Sequence, residues 1–443
     1  MSAAPIFSGG FRPGRLSTNR SSILSVLDVG SSKICCMIAR LTPRNESEVL
    51  PGRSHAIEVL GFGYQRSGGI KSGVIVDMEA AETAIRQAVD SAERSSGLTV
   101  DSLLLCVSAG RLTSGTFSSS ILMDGREVEN RDIRSVLAAG CDQLAEDGRM
   151  ILHALPIGYG LDGQTGIRDP EGMVAMELGV DMHVVSADAS PLRNLELSIN
   201  RAHLSLDGIV ATPYASGLAS LVDDEARMGC ACIDMGGGTT TISIFLNNAL
   251  VFTDAIAIGG HHVTMDLARG LSTPIHDAER LKVLHGSAQI LRDNDADTVN
   301  VNRVGEDGGS QQSQIPLSLV SRIIRARVEE TFEMLRDRVV RSGFAGAIGN
   351  RVVLTGGASQ LTGLSGVASD LLGANIRLGR PMGLLGLPKT AKGPAFSAAA
   401  GLLIYPQMSE REFSGRSSVA SRMLTAAQGG PFAKMGRWLR ESF

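Results

Sequence analysis

The sequence has no long apolar run. No stretch approaches the ~18 consecutive apolar residues of a membrane-spanning helix, so no span is expected. Neither sign of charge dominates. Lysine and arginine number 42 and aspartate and glutamate 46, for a formal net charge of −4. A dedicated nucleic-acid binder carries a strong basic excess, so no nucleic-acid partner is expected. The six cysteines, Cys35, Cys36, Cys106, Cys141, Cys230 and Cys232, include no CxxC pair and have no spaced histidine partners. That argues against zinc and for small buried residues in a reducing cytoplasm. There is no Gly-Lys dipeptide, which excludes a P-loop, and Gly61-Phe62-Gly63 lacks the third glycine of a dinucleotide turn. Aromatic residues make up only 4%, whereas glycine accounts for 52 positions, a composition suited to tight turns and close backbone approaches.

What is present is ample core material. With 43% hydrophobic residues in 443, the chain supports roughly two to four domains. Its first positive signal is a repeat. Ser22 to Asp28 reads as a strand that enters the turn Gly30-Ser31-Ser32-Lys33 and leaves as a second strand, Ile34 to Leu41. Cys230 to Asp234 does the same through Gly236-Gly237-Gly238-Thr239, followed by Thr241 to Leu246. The two aspartates are 206 residues apart, too far for a solenoid and suited to two related halves. Glycine turns of this kind can point successive N–H groups at one phosphate, and an aspartate at the strand end can hold Mg²⁺ through water. A third signal is Arg351 to Thr355, an apolar β-branched strand, followed by Gly356-Gly357-Ala358 and an expected helix start.

Around these signals the pattern predicts helices over Val76–Ser95, Arg131–Ala145, Pro191–Ala202, His261–Gly270, Asp277–Leu284, Pro316 to about Arg341, and Ala395–Ile404. Strands are expected at Ser102–Ser108, Ser114–Met123 and Leu206–Ala211, with a strand pair over Met173–Val185 and a polar loop over 295–315.

Taken in order, strand–DxGxx(S/K)–strand, strand–DxGGGT–strand and strand–TGG–helix resemble the actin-like ATPase superfamily. Within it the chain resembles the bacterial cell-division FtsA family. Supporting segments are LLLCVSAG (103–110), HALPIGYGLDGQTGIRDPEGM (153–173), DGIVATPYASGLASL (207–221), DAERLKVLHGSA (277–288) and the end KMGRWLRESF (434–443). The resemblance implies a two-lobed α/β fold with duplicated core subdomains, an inserted α/β subdomain and a C-terminal amphipathic helix. It implies ATP and Mg²⁺ as ligands. Asp28, Gly30, Ser31, Ser32 and Lys33 would form the first phosphate loop, and Asp234, Gly236, Gly237, Gly238 and Thr239 the second. Asp28 and Asp234 would face the metal. Glu279 and Lys282 would flank the adenosine, and Gly356, Gly357 and Ala358 would pack against adenine and phosphates. Where chaperone ATPases of the superfamily place a water-orienting carboxylate, the sequence reads Ala211-Thr212-Pro213-Tyr214. Slow hydrolysis is therefore expected, and no catalytic residue is assigned.

The resemblance implies the following layout: a basic arm over 1–21; a first core subdomain over 22–102, 183–221 and 394–405; an insert over 103–182; a second core subdomain over 222–246 and 351–393; a smaller subdomain over 247–350; a linker over 406–430; and a terminal helix over 431–443. In that helix Phe432, Met435, Leu439 and Phe443 recur at three- and four-residue steps beside Trp438, with Lys434, Arg437 and Arg440 on the other face. An apolar aromatic face against a basic one suits a helix lying in a lipid interface. The family picture adds FtsZ, self-assembly into filaments, anionic inner-membrane lipids and other division proteins as partners, at the cytoplasmic face of the septum. Arg325 and Arg327 are the expected contacts for the acidic FtsZ tail. The rival expectations are a kinase or chaperone-type ATPase of the same superfamily, or a pilus-assembly platform protein.

Overall fold

The fold is described from a computed structural model over residues 16, 19–44, 53–109, 111–142, 148–289, 297–304, 313–408 and 412. Two sheets share one plan. In the first, Ser22–Val29 and Lys33–Pro43 form an antiparallel hairpin that His55–Arg66 extends. On the other side of Ser22–Val29, Ser102–Val107 and then Ser205–Ala211 add in parallel. In the second sheet Cys230–Met235 and Thr240–Leu246 form the hairpin and Ala249–Ile256 extends it. Arg351–Thr355 and then Asn375–Leu378 add in parallel. Central strands such as Cys230–Met235 are buried at every residue, which is why they read as continuous apolar runs rather than alternating ones.

Helices cover these sheets at short range. Met78–Ser96 is capped by the Asp77 side chain and ended by Gly97 in the left-handed region. It buries Ala81, Ala84, Ile85, Ala88, Val89 and Ala92. Gly61 and Gly63 lie beneath it. A Cβ there would come within 2.4 Å of the Ala92 carbonyl and 2.1 Å of the Ala88 carbonyl, so this glycine pair serves helix–strand packing. Thr212–Ser220 and Ser397–Ile404 pack together between the sheets, and a Cβ on Gly401 would sit 1.8 Å from the Ala215 carbonyl. The small-residue composition of both helices follows from that contact.

The insert is an antiparallel sheet of Thr113–Glu127, Val174–Asp188, Arg149–Leu161 and Gln164–Ile167, in that order, with the helix Asn130–Asp142 packed on it. It has its own core around Met123, Val136, Leu178, Val180 and Met182. It also touches the second sheet: Ser114 Oγ donates to the Thr253 carbonyl at 2.7 Å and accepts the Thr253 N–H at 2.8 Å.

Several expectations are corrected. The strand pair over Met173–Val185 is one strand, Val174–Asp188, because Gly179 and Asp181 keep extended backbone and pair on both sides. The 295–315 loop contains two paired strands, Thr298–Val301 and Ser313–Pro316, and the long helix begins at Leu317. After Gly356 comes a 3₁₀ turn, Gly357–Gln360, and the helix starts at Leu364. Ser102–Val107 belongs to the first sheet, so the insert takes up after Val107 and runs to Asp188. Leu384–Leu385 pairs with His55–Arg66, and Leu387 and Ala391 join the first core, so the chain crosses back before residue 394. Beyond Ile404 it stays packed through the turn Tyr405–Gln407, and Glu412 is buried, inside the stretch expected as a linker. Among the described residues no helix is long and apolar enough to cross a membrane.

Candidate functional site

The two hairpin turns close in the same way. Gly30 N–H donates to the Lys33 carbonyl at 3.0 Å, and Gly236 N–H to the Thr239 carbonyl at 2.9 Å. Asp28 is the last residue but one of its strand, opposite Cys35, and Asp234 holds the same place in the other, opposite Thr241. The turns press on each other. A Cβ on Gly237 would lie 1.8 Å from Ser32 Oγ, and one on Gly238 would lie 2.5 Å from Ser31 Oγ. Neither glycine has a positive φ, so the run serves approach between loops rather than an unusual backbone. A side chain at 237 would meet Ser32 and part the turns. Gly356, by contrast, has φ +85, and a Cβ there would fall 2.2 Å from Asp234 Oδ1.

A further glycine pair completes the ring and was not singled out in the sequence. Gly260 N–H donates to the Gly236 carbonyl at 3.0 Å and His261 N–H to the Gly237 carbonyl at 2.7 Å. The signal was Gly259-Gly260 at the start of the helix Gly260–Gly270, the same kind of cue as the other turns.

These elements enclose a cavity of about 530 Å³, within the range of small-molecule sites. Asp28, Gly30, Ser31, Ser32, Lys33, Asp234, Gly236, Gly237, Gly238, Thr239, Glu279, Lys282, Gly356, Gly357 and Ala358 all line it, together with Ser108, Thr212 and His261. Residues spread over most of the chain thus converge on one cleft. Thr212 is there with its hydroxyl 3.3 Å from Cys106 Sγ, and its helix brings no carboxylate to the cavity.

The electrostatics differ around the ring. Lys33 Nζ is 3.4 Å from Asp28 Oδ2 and 4.7 Å from the centre of the Phe396 ring. Burial opposes its charge, but Asp28 and Asp234 outweigh burial and hold the ammonium above its ordinary pKa. Asp234 is buried and accepts a hydrogen bond from the Ser216 hydroxyl. Burial pushes its carboxyl up to about 6, with Asp28 adding and Ser216 and Lys33 opposing. Lys282 Nζ meets Glu279 Oε2 at 2.7 Å, Thr264 Oγ1 at 2.8 Å and the Gly260 carbonyl at 3.0 Å. Burial raises Glu279, but hydrogen bonds from Lys282 and Thr264 prevail and keep it below the usual range. The pair is therefore fixed to the cleft wall rather than free on the surface.

Mg²⁺ keeps several waters and needs only one or two carboxylates beside phosphate oxygens. Asp28 and Asp234 fit that requirement: they converge on one cavity, and one of them is buried where its negative charge is disfavoured. Among the described residues no preformed cluster of three or more metal-ligating side chains occurs. Cys35, Cys36, Cys106, Cys230 and Cys232 are free and buried, and burial pushes the Cys35 thiol up to about 12.

The expected partner arginines do not line the cleft. Arg325 pairs with Glu329 at 2.7 Å, and Arg327 grips Asp266 through two nitrogens at 2.5 and 3.0 Å and also Glu330. Phe432, Lys434, Met435, Arg437, Trp438, Leu439, Arg440 and Phe443 lie outside the described residues.

Comparison with known proteins agrees with this geometry. A family model described as "Cell division protein FtsA" matches residues 231–401, and one described as "SHS2 domain inserted in FTSA" matches residues 109–186. The chain is 58% identical over 438 residues to the cell division protein FtsA of Agrobacterium fabrum, covering 97% of this chain and 96% of that one. It is 28% identical to that of Escherichia coli, covering 96% and 99%. Among solved structures, a chain of the PilM-PilN type IV pilus biogenesis complex superposes with TM-score 0.58 at 14% identity, covering 87% of this chain and 98% of that one. MreB5 of Spiroplasma citri bound to ADP gives 0.50 at 13%, covering 88% and 98%. The fold is actin-like, with the FtsA-type insert.

Proposed function

The chain belongs to the FtsA family of cell division proteins, and on that premise we propose that it binds Mg-ATP in the interlobe cleft, assembles into filaments, and tethers FtsZ filaments to the cytoplasmic face of the inner membrane at the septum. The observation that carries the reading is the convergence of two aspartate-ended glycine hairpins and the Gly356 turn on one cavity. Backbone N–H groups of the turns hold the phosphates, Lys33 adds a cation, and Asp28 and Asp234 hold the metal through water. When bound, the metal supplies charge neutralisation for the phosphates. Glu279 and Lys282 take the adenosine end. With Thr212 where a water-orienting carboxylate would stand, turnover is slow against the enzyme median of about 10 s⁻¹, and the nucleotide acts mainly as a conformational ligand.

The terminal segment supplies the membrane contact. Its apolar face offers roughly 1.5–3 kcal/mol for each side chain fully buried, less the cost of ordering so short a helix. Its basic residues add about 1 kcal/mol each near an anionic surface. One copy binds reversibly, and a filament multiplies the anchors. Two measurements on the full chain test the reading. Calorimetry should detect Mg-ATP binding, and the protein should float with anionic liposomes while Leu439→Glu does not. A silent titration overturns the cleft assignment, and flotation of Leu439→Glu at the parent level overturns the anchor.

A further inference from the structure

Glu412 is a buried glutamate in a stretch of sequence that reads as a linker. Its Oε2 accepts from the Tyr405 hydroxyl and from His153 Nδ1, each at 3.1 Å. Its Oε1 is buried and has no hydrogen-bond partner among the described residues. His153 comes from the insert strand Arg149–Leu161, and its Nε2 accepts the backbone N–H of Ala211 at 2.9 Å. A backbone N–H can only donate, so the ring proton is on Nδ1 and points at Glu412. The rings of Tyr214 and Tyr405 stand edge-on to the imidazole, with centroids at 5.1 and 5.7 Å.

This seat sits at one end of the helix Thr212–Ser220, and the candidate nucleotide cleft touches the same helix. Ala211 immediately precedes it, Thr212 lines the cavity, Tyr214 packs on His153, and Ser216 donates to Asp234. The helix has no slack: Gly401 meets the Ala215 carbonyl, and a Cβ on Gly217 would strike the Phe245 ring at 2.3 Å. Packed this closely, it shifts as a body when one end is pulled.

We propose that Glu412 is a latch that couples the cleft to the C-terminal segment. Seated on His153 and Tyr405, it ties residue 412 to the insert strand and to the turn Tyr405–Gln407. Occupancy of the cleft at Asp234 shifts the helix Thr212–Ser220, withdraws the support of His153, and frees Glu412. His153 acts as a positioning residue between the two. A carboxylate with one oxygen doubly bonded by donors and the other unpartnered is held less firmly than a fully paired one, which suits a contact that must open. The seat also joins three separate pieces, the insert, the end of Ser205–Ala211 and the chain beyond Ile404, so relative motion among them acts on it directly. The coupling rests on the nucleotide reading of the cleft, whereas the seat does not.

The test is trypsin cleavage of the Arg411–Glu412 bond in the full chain, followed by mass spectrometry, with calorimetry of Mg-ATP run on the same samples. When opening is fast, cleavage follows the population of the open form, so the parent should be cut about tenfold faster with saturating Mg-ATP than without. Glu412→Ala and His153→Ala should be cut fast in both conditions. His153→Gln keeps one acceptor and one donor and should restore slow, nucleotide-sensitive cleavage. Glu412→Gln keeps the size of the side chain, guards against a folding artefact in the alanine variant, and should fall between parent and alanine. If Glu412→Ala is cut at the parent rate, the seat is overturned. If Mg-ATP binds by calorimetry yet leaves parent cleavage unchanged, the coupling is overturned while the cleft reading stands. If calorimetry is silent, the cleft reading fails and the coupling with it.

Discussion

The two halves place an aspartate at the same point of the same hairpin and then surround it differently. Asp28 has a lysine at the end of its own turn, 3.4 Å away. Asp234 has no cation of its own; it takes the Ser216 hydroxyl and is buried until its carboxyl is pushed up to about 6. The first turn has Ser31 and Ser32 where the second has Gly237 and Gly238, and those serines fill the space that the glycines leave open. Duplication has preserved the backbone and divided the chemistry. One half brings the cation and hydroxyls, and the other brings the close approach and a carboxylate that gains most from a metal. Neither half is a site alone.

The most damaging way to break this division is Gly237→Val. The new side chain meets Ser32 at the point where the halves touch, and overpacking of this kind costs about 1–3 kcal/mol in stability. Mg-ATP binding should be abolished in calorimetry, with a lower melting temperature. The same change at Gly366, where a Cβ meets nothing within 4 Å, should leave binding intact.

Next come the two aspartates, changed separately to alanine. Each should weaken Mg-ATP binding by roughly 100-fold, the order expected when a charged partner is removed from a buried cluster. Without ligand their stabilities should diverge. Asp28→Ala strands Lys33 and should melt lower. Asp234→Ala removes a group whose charge the fold disfavours, a relief of up to about 3 kcal/mol at neutral pH, and should melt no lower than the parent. Equal destabilisation by both would erase the contrast.

A smaller effect follows from pH. The folded value for Asp234 lies above its unfolded value near 4. Its contribution to apo stability is therefore complete below about 4 and is lost as pH rises through about 6. Metal binding needs the ionised form, so Mg-ATP affinity should fall about tenfold per pH unit below 6. Titrations at several pH values should show this in the parent and lose it in Asp234→Asn.

The smallest expected effect lies outside the duplicated hairpins. Arg325 makes one i,i+4 pair, worth about 0.3–0.5 kcal/mol, so Arg325→Glu should fold normally and weaken binding of an acidic FtsZ tail peptide only severalfold, more so at low salt. Arg327 is the poorer probe because its reversal also breaks the grip on Asp266. Parent-level binding by Arg325→Glu would remove this arginine from the contact.

The hairpins were legible because their cues are local: an apolar strand, an aspartate and a glycine turn within a dozen residues. What escaped depended on distant partners or disguised composition. Arg149–Leu161 carries Pro156, Gly158 and Gly160 and shows no strand alternation, yet it pairs with Val174–Asp188 along most of its length. Ser102–Val107 looks like the first strand of an insert and is instead the link between Ser22–Val29 and Ser205–Ala211. Gly259-Gly260 carries no local cue to its role, because the partners of Gly260 and His261 are the carbonyls of Gly236 and Gly237 on another element. Glu412 was invisible as a contact, since its partner His153 is 259 residues away.

The position of Ser397–Ile404 has a consequence for how the molecule is made. This helix is buried at every residue and packs on Ser22–Val29, Ser102–Val107 and Thr212–Ser220, all far earlier in the chain. Domains tend to fold in order as they leave the ribosome. Here the half whose strands emerge first must wait for one of the last helices before its core can close. The insert, contiguous and with its own core, can fold in the meantime. The cleft, which also needs Gly356 to Ala358, then cannot close until residues 356–404 have been made.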